Sequence, residues 1–128
     1  MPFIEFNPNP SHKRNGDCVV RAICKAMDCG WDNAFISLCV ASLREHDMPS
    51  ANVVWGKLLQ SNGFERHAIP NVCPNCITVK GFAEGRPEGL FVLACDNNHV
   101  VTVEDGDYYD TWDSGDSEVM YYFSKSED

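Results

Sequence analysis

The chain has 128 residues, 44% hydrophobic and 23% charged, the composition of one globular domain large enough to bury a core. Its net charge of −9 sets an acidic surface against phosphate backbones and argues against nucleic-acid binding. No apolar run approaches the ~20 residues of a membrane span. The opening MPFIEFNPNPSHKRN lacks the apolar stretch that directs export, so the expected location is cytoplasmic. The seven cysteines (18, 24, 29, 39, 73, 76 and 95) are accordingly expected as reduced thiols.

In chain order, residues 1–16 read as an irregular arm, because Pro2, Pro8 and Pro10 are interleaved with Asn7, Asn9 and Asn15. A helix is predicted over 18–27, with Asp17 as its cap and Val19, Ala22, Ile23 and Ala26 on one apolar face. Asp32 is expected to cap a second helix over 33–46, burying Phe35, Leu38, Cys39 and Leu43. A third helix, over 51–61, turns Val54, Trp55, Leu58 and Leu59 inward and closes at Asn62-Gly63. Then the period changes. Residues 64–69 fit a short strand, and Thr78 caps a brief helix through Ala83. GLFVLACD (89–96) is a buried strand, 99–113 a hairpin about Asp105-Gly106, and EVMYYFS (118–124) a last strand. Helices first and strands second predict one α+β domain, its N-terminal helices packed on one face of a C-terminal antiparallel sheet.

Within that frame Cys18 stands apart. It begins a helix, where unpaired N–H groups and the macrodipole favour a thiolate, the reactive form of cysteine. His12, Lys13 and Arg14 lie just upstream and add positive potential. A cysteine nucleophile needs an imidazole, and the imidazole needs a third group to fix its orientation. Of the four histidines, His99 begins a strand directly after Asn97-Asn98, a place both rigid and accessible. With Asp105-Gly106 as a two-residue loop, Val101 faces Asp110 and His99 faces Trp112, so all four share a face. Asp110 is then the diagonal neighbour of His99, about 7–8 Å away at the backbone. A loop one residue longer brings Asp113 opposite His99 instead, so the register decides between two carboxylates. The remaining motif, CPNC (73–76), reads as a turn; it supplies half of a zinc site at most, and no metal or other cofactor is expected.

Cys18 at a helix start, His99 opening a strand, and Asp110-Thr111-Trp112 at the end of the next strand together resemble the papain-like cysteine peptidase superfamily. Bacteriocin-processing relatives carry Asp where papain-type enzymes carry Asn. GDCVVRAI early and HVVTVEDGDYYDTWDSG late also resemble small papain-like proteins of phages and bacteria. The resemblance implies a papain-like fold and a Cys18-His99-Asp110 triad, with Asp113 the alternative third member and Trp112 shielding the imidazole. It implies a thiol hydrolase acting on a protein or peptide substrate through an acyl-enzyme, or else an inactive relative that binds proteins. One position departs from the pattern: His12 stands where papain-type enzymes place the glutamine that donates to the oxyanion. The Cys18 N–H then serves as one donor, with His12, Asn15 or Asn9 as candidates for the second.

Overall fold

The computed structural model describes residues 2–14, 16–69, 76–96 and 98–125. In chain order these form β1 (Phe3–Glu5), α1 (Cys18–Met27), α2 (Trp31–Glu45), α3 (Asn52–Gln60), β2 (Phe64–Ala68), α4 (Val79–Glu84), β3 (Leu90–Cys95), β4 (His99–Glu104), β5 (Asp107–Asp110) and β6 (Val119–Lys125). The architecture is α+β, with a six-stranded mixed sheet in the order β1-β5-β4-β3-β6-β2.

The hairpin at the centre of the sheet forms as its turn residues require. Asp105 and Gly106 both take positive φ (52° and 85°), the backbone of a two-residue hairpin loop whose twist matches its strands. Glu104 therefore pairs with Asp107, Val103 with Tyr108 and Thr102 with Tyr109. β3 pairs along the whole of β4, ending at Cys95 opposite His99, and its other edge takes β6. β2 closes that side of the sheet, antiparallel to β6.

Strand alternation divides the core in two. Val92, Ala94, Val100 and Phe123 pack with α1, α2 and α3 around Ile23, Leu38, Trp55 and Leu59. Leu93, Val101, Val103 and Tyr108 pack instead with Val79, Phe82 and Ala83 of α4. Each fully buried large side chain contributes roughly 1.5–3 kcal/mol relative to exposure. Helices thus cover both faces, not one, because α4 is threaded between strands and seals the second apolar face.

The N-terminal arm also differs from expectation. Residues 3–5 form β1, which pairs parallel with β5, Ile4 opposite Tyr109. The backbone edge of β5 needs partners whatever the propensity of the arm, and this strand makes the sheet mixed rather than antiparallel. α2 begins at Trp31, earlier than Asp32 suggested, and buries Ala34, Leu38 and Ala41. Leu43 is 74% exposed and Phe35 also faces outward. Alanines let the helix approach its neighbours closely, and that requirement overrode the larger side chains. α4 matches expectation closely, with the Thr78 hydroxyl accepting the Gly81 N–H at 3.1 Å.

Cys18, Cys24, Cys29, Cys39 and Cys95 are free thiols. Cys76 is disulfide-bonded, contrary to the expectation that every thiol is reduced. Asn15, Cys73 and Asn97 lie outside the described residues, and with them most of the CPNC motif. Among the described residues no helix is long and apolar enough to cross a membrane, and no group of three or more His, Cys, Asp or Glu is placed to hold a metal ion.

Candidate active site

One buried hydrogen bond sets the distance between the helix that carries Cys18 and the strand that carries His99. The Thr102 hydroxyl of β4, 0% exposed, donates to the Ala22 carbonyl of α1 at 2.8 Å. Ala22 lies one turn beyond Cys18 and Thr102 lies on the strand that His99 opens. The peg therefore brings the helix start and the strand start to one end of the sheet. There they line a cleft of about 410 Å³ with Arg14, Arg21, Asn98 and Trp112.

Cys18 is partly exposed in this cleft, its Sγ 3.8 Å from the Asn98 carbonyl oxygen. Burial alone would disfavour the thiolate. The His99 ring, the Val100 backbone N–H and the positive charges of His99 and Arg21 outweigh it and lower the Cys18 pKa. The other buried thiols behave oppositely: burial pushes Cys24 and Cys95 up to about 12.

His99 Nε2 lies 2.6 Å from Asp110 Oδ2, which leaves Nδ1 for the thiol. Burial disfavours the imidazolium, but the bonds to Asp110 and Cys18 and their negative charges raise the His99 pKa to about 9. The Trp112 ring lies 5.0 Å from the imidazole at 45° and is itself half-exposed.

Asp110 is fully buried and richly supplied with donors. Arg21 Nη2 (2.9 Å), the Thr111 N–H (2.8 Å) and the Ser114 hydroxyl (2.6 Å) all donate to it besides His99. Burial opposes its charge, and the bonds to His99 and Ser114 with the charges of His99 and Arg21 more than compensate, so its pKa is lowered. Asp113 does not compete for the histidine. It is exposed, and its carboxylate accepts from the Tyr108 hydroxyl and the Gly115 N–H instead. The two-residue turn thus selects Asp110 of the two carboxylates.

The remaining expected residues are placed differently. Asp17 makes no side-chain cap bond to α1. Its carboxylate is 7% exposed and takes Arg21 Nη1 at 2.7 Å and Trp31 Nε1 at 3.0 Å, because a guanidinium and an indole N–H in reach satisfy it better than exposed helix amides. His12 is exposed, at φ 56°, and is not among the side chains lining the cleft. Asn9 is buried and spends its carboxamide oxygen on the Ser11 N–H at 2.8 Å. Asn15 lies outside the described residues. The first-turn N–H groups of α1, Cys18 included, have no acceptor within the helix and point at the cleft end. Arg14, 2.7 Å from Glu5, is the arm side chain that does reach the cleft.

Sequence reasoning missed Arg21 and Ser114. Arg21 lies away from the apolar face of Val19, Ala22, Ile23 and Ala26, on the side that the pattern leaves to solvent, so nothing in the spacing announced its burial. Comparison with protein-family models, curated proteins and solved structures returned no match.

Proposed function

We propose that this chain is a thiol hydrolase of papain-like arrangement that cleaves a peptide, isopeptide or amide bond in a protein or peptide substrate. The observation that carries the reading is a cysteine of lowered pKa and an imidazole lining one cleft, with a buried carboxylate behind them, Asp110, to which His99 is bonded at 2.6 Å. Such an arrangement suits nucleophilic catalysis. His99 takes the Cys18 proton, giving a thiolate–imidazolium pair. The sulfur attacks the substrate carbonyl carbon, and the electron pair of the C=O bond moves to oxygen, where the Cys18 N–H stabilises it. As that intermediate collapses the carbon–nitrogen bond breaks, and His99 returns its proton to the leaving amine. Water, deprotonated by His99, then attacks the thioester and releases an acid and the free thiol. The chemistry asks for no cofactor.

Labelling with iodoacetamide tests this. Cys18 reacts much faster than Cys29 or Cys39 in the folded protein, His99→Ala abolishes the difference, and a peptide library yields an acyl-enzyme on Cys18 by mass spectrometry. Equal labelling of the partly exposed thiols overturns the reading.

A second reading is a non-catalytic relative that binds a protein. Two observations favour it: neither His12 nor Asn9 contributes an oxyanion donor, and Ile36, Val40 and Leu43 are exposed on α2. Under that reading Cys18→Ala retains partner binding and no acyl-enzyme forms.

A further inference from the structure

Arg21 is 4% exposed, an unusual place for a guanidinium. Burying a charge is costly unless it is paired on both sides with good geometry. Arg21 has that geometry: Nη1 lies 2.7 Å from Asp17 Oδ1 and Nη2 lies 2.9 Å from Asp110 Oδ1. Asp17 is steadied in turn by Trp31 Nε1 at 3.0 Å. A continuous chain of bonds therefore runs from the Trp31 indole through Asp17, Arg21 and Asp110 to His99.

We infer that Arg21 is a positioning residue, which clamps the carboxylate that orients His99 and balances the charge of the buried cluster around Cys18. The inference rests on the thiol-hydrolase reading of the same cleft. With the thiolate and imidazolium formed, the cluster holds three anions (Asp17, Asp110, Cys18) and two cations (Arg21, His99). Without Arg21 it holds three anions and one cation. Cys18 is the anion best able to relieve that excess, by taking up a proton. The other groups facing the cluster do not substitute for Arg21. Cys95 of β3 is a neutral thiol beside Asp96, and Arg14 of the arm is exposed and already paired with Glu5. Arg21 shares Asp110 Oδ1 with the Thr111 N–H while His99 and Ser114 hold Oδ2, so its loss removes one of the four donors that fix the carboxylate.

The test uses the full chain and three variants: Arg21→Met, Asp17→Asn, and the two combined. The readouts are the pH dependence of Cys18 alkylation and the NMR titration of His99, with circular dichroism confirming the fold. Arg21→Met moves the alkylation midpoint up by about one pH unit, so the rate on the acid side falls about tenfold. Asp17→Asn, which removes an anion, moves the midpoint down. The double variant, which removes one charge of each sign, returns it towards wild type. Where Arg21→Met fails to fold, Asp17→Asn and the double variant decide the question. Midpoints that do not move in folded variants, or that move in the opposite sense, overturn the inference. Failure of the hydrolase reading looks different: wild-type Cys18 then reacts no faster than Cys29. In that case the His99 titration still reports on Arg21, with Arg21→Met expected to raise the His99 midpoint and an unmoved midpoint counting against it.

Discussion

His99 Nε2 and Asp110 Oδ2 meet at 2.6 Å at the open end of the β4–β5 hairpin, the carboxylate 0% exposed and the imidazole 11% exposed. Asp110 also anchors Arg21, so its removal leaves a buried guanidinium with half its pairing. Breaking a buried pair from one side costs about 3–5 kcal/mol. Asp110→Ala is therefore expected to lower unfolding free energy by about that amount in chemical denaturation, and to lower the His99 pKa by NMR. Asp113→Asn, which keeps an acceptor for Tyr108, leaves the His99 titration where it was. An Asp113 effect as large as that of Asp110 would assign the imidazole to the wrong carboxylate.

The pH dependence follows from the same pair. Cys18 is lowered from 9.0 and His99 raised to about 9, so both shifts favour the thiolate–imidazolium pair. The proposed hydrolysis needs both partners charged and is expected to fall on an alkaline limb near pH 9 as His99 loses its proton. Stability has its own profile. The folded pKa of His99 lies above its ordinary 6.5, so its contribution is complete below 6.5 and is lost as pH rises through about 9. Asp110 is lowered from 3.8, so its contribution is present above 3.8 and is lost as pH falls through its folded value. Cys24 and Cys95, raised from 9.0 to about 12, add further loss above pH 9. Cys18, lowered from 9.0, gains stability as pH rises from its folded value to 9.0 and so offsets the His99 loss in the wild type. Cys18→Ser should therefore show denaturation midpoints that fall as pH rises above 6.5, and adding His99→Gln should flatten that fall.

α2 shows where the sequence was legible and where it was not. Its existence and approximate span were readable from apolar spacing, as were α1 and α3, while α4 was readable from the Thr78 cap, β3 from its unbroken apolar run and the turn from Asp105-Gly106. Its buried face was not readable, because Phe35 and Leu43 outrank alanines on any hydrophobicity scale, yet close packing against neighbouring helices selects Ala34, Leu38 and Ala41. Two leucines of one helix should accordingly separate in stability. Leu38, 0% exposed, costs about 2–5 kcal/mol as Leu38→Ala. Leu43, 74% exposed, changes unfolding free energy by less than about 0.5 kcal/mol as Leu43→Ala. Equal costs in denaturant melts would restore the stripe that spacing first suggested.

In the cleft, local signals carried the sequence reading furthest. A two-residue loop fixed which carboxylate faces His99, and a helix start marked Cys18. Tertiary pairings were invisible: nothing in the string NGDCVVRAI says that Asp17 turns from the helix end to Arg21 and Trp31. Nor does an arm rich in Pro and Asn announce β1, which exists because the edge of β5 accepts it, with the Phe6 N–H extending the contact to the Asp110 carbonyl at 2.7 Å. Pairings that depend on two distant segments have no local period to betray them.

The segment that follows Asp110 depends on a close approach at Gly115. A Cβ added there would overlap the Tyr108 hydroxyl and sit 3.0 Å from Asp113 Oδ1. Tyr108 is 2% exposed and cannot retreat, and the Gly115 carbonyl is held by the Lys80 N–H at 3.0 Å. Gly115→Ala must therefore displace the segment itself, drawing Ser114 from Asp110 and Trp112 from His99. Overpacking of this kind costs about 1–3 kcal/mol. The expected outcome is a lower thermal midpoint together with slower Cys18 alkylation, since the group that orients His99 loses the Ser114 hydroxyl. Gly30→Ala is the control: its Cβ meets nothing within 4 Å and its φ is −76°, so both readouts stay at wild type. If Gly115→Ala behaves like Gly30→Ala, the Tyr108 contact does not hold the segment that carries Ser114 and Trp112.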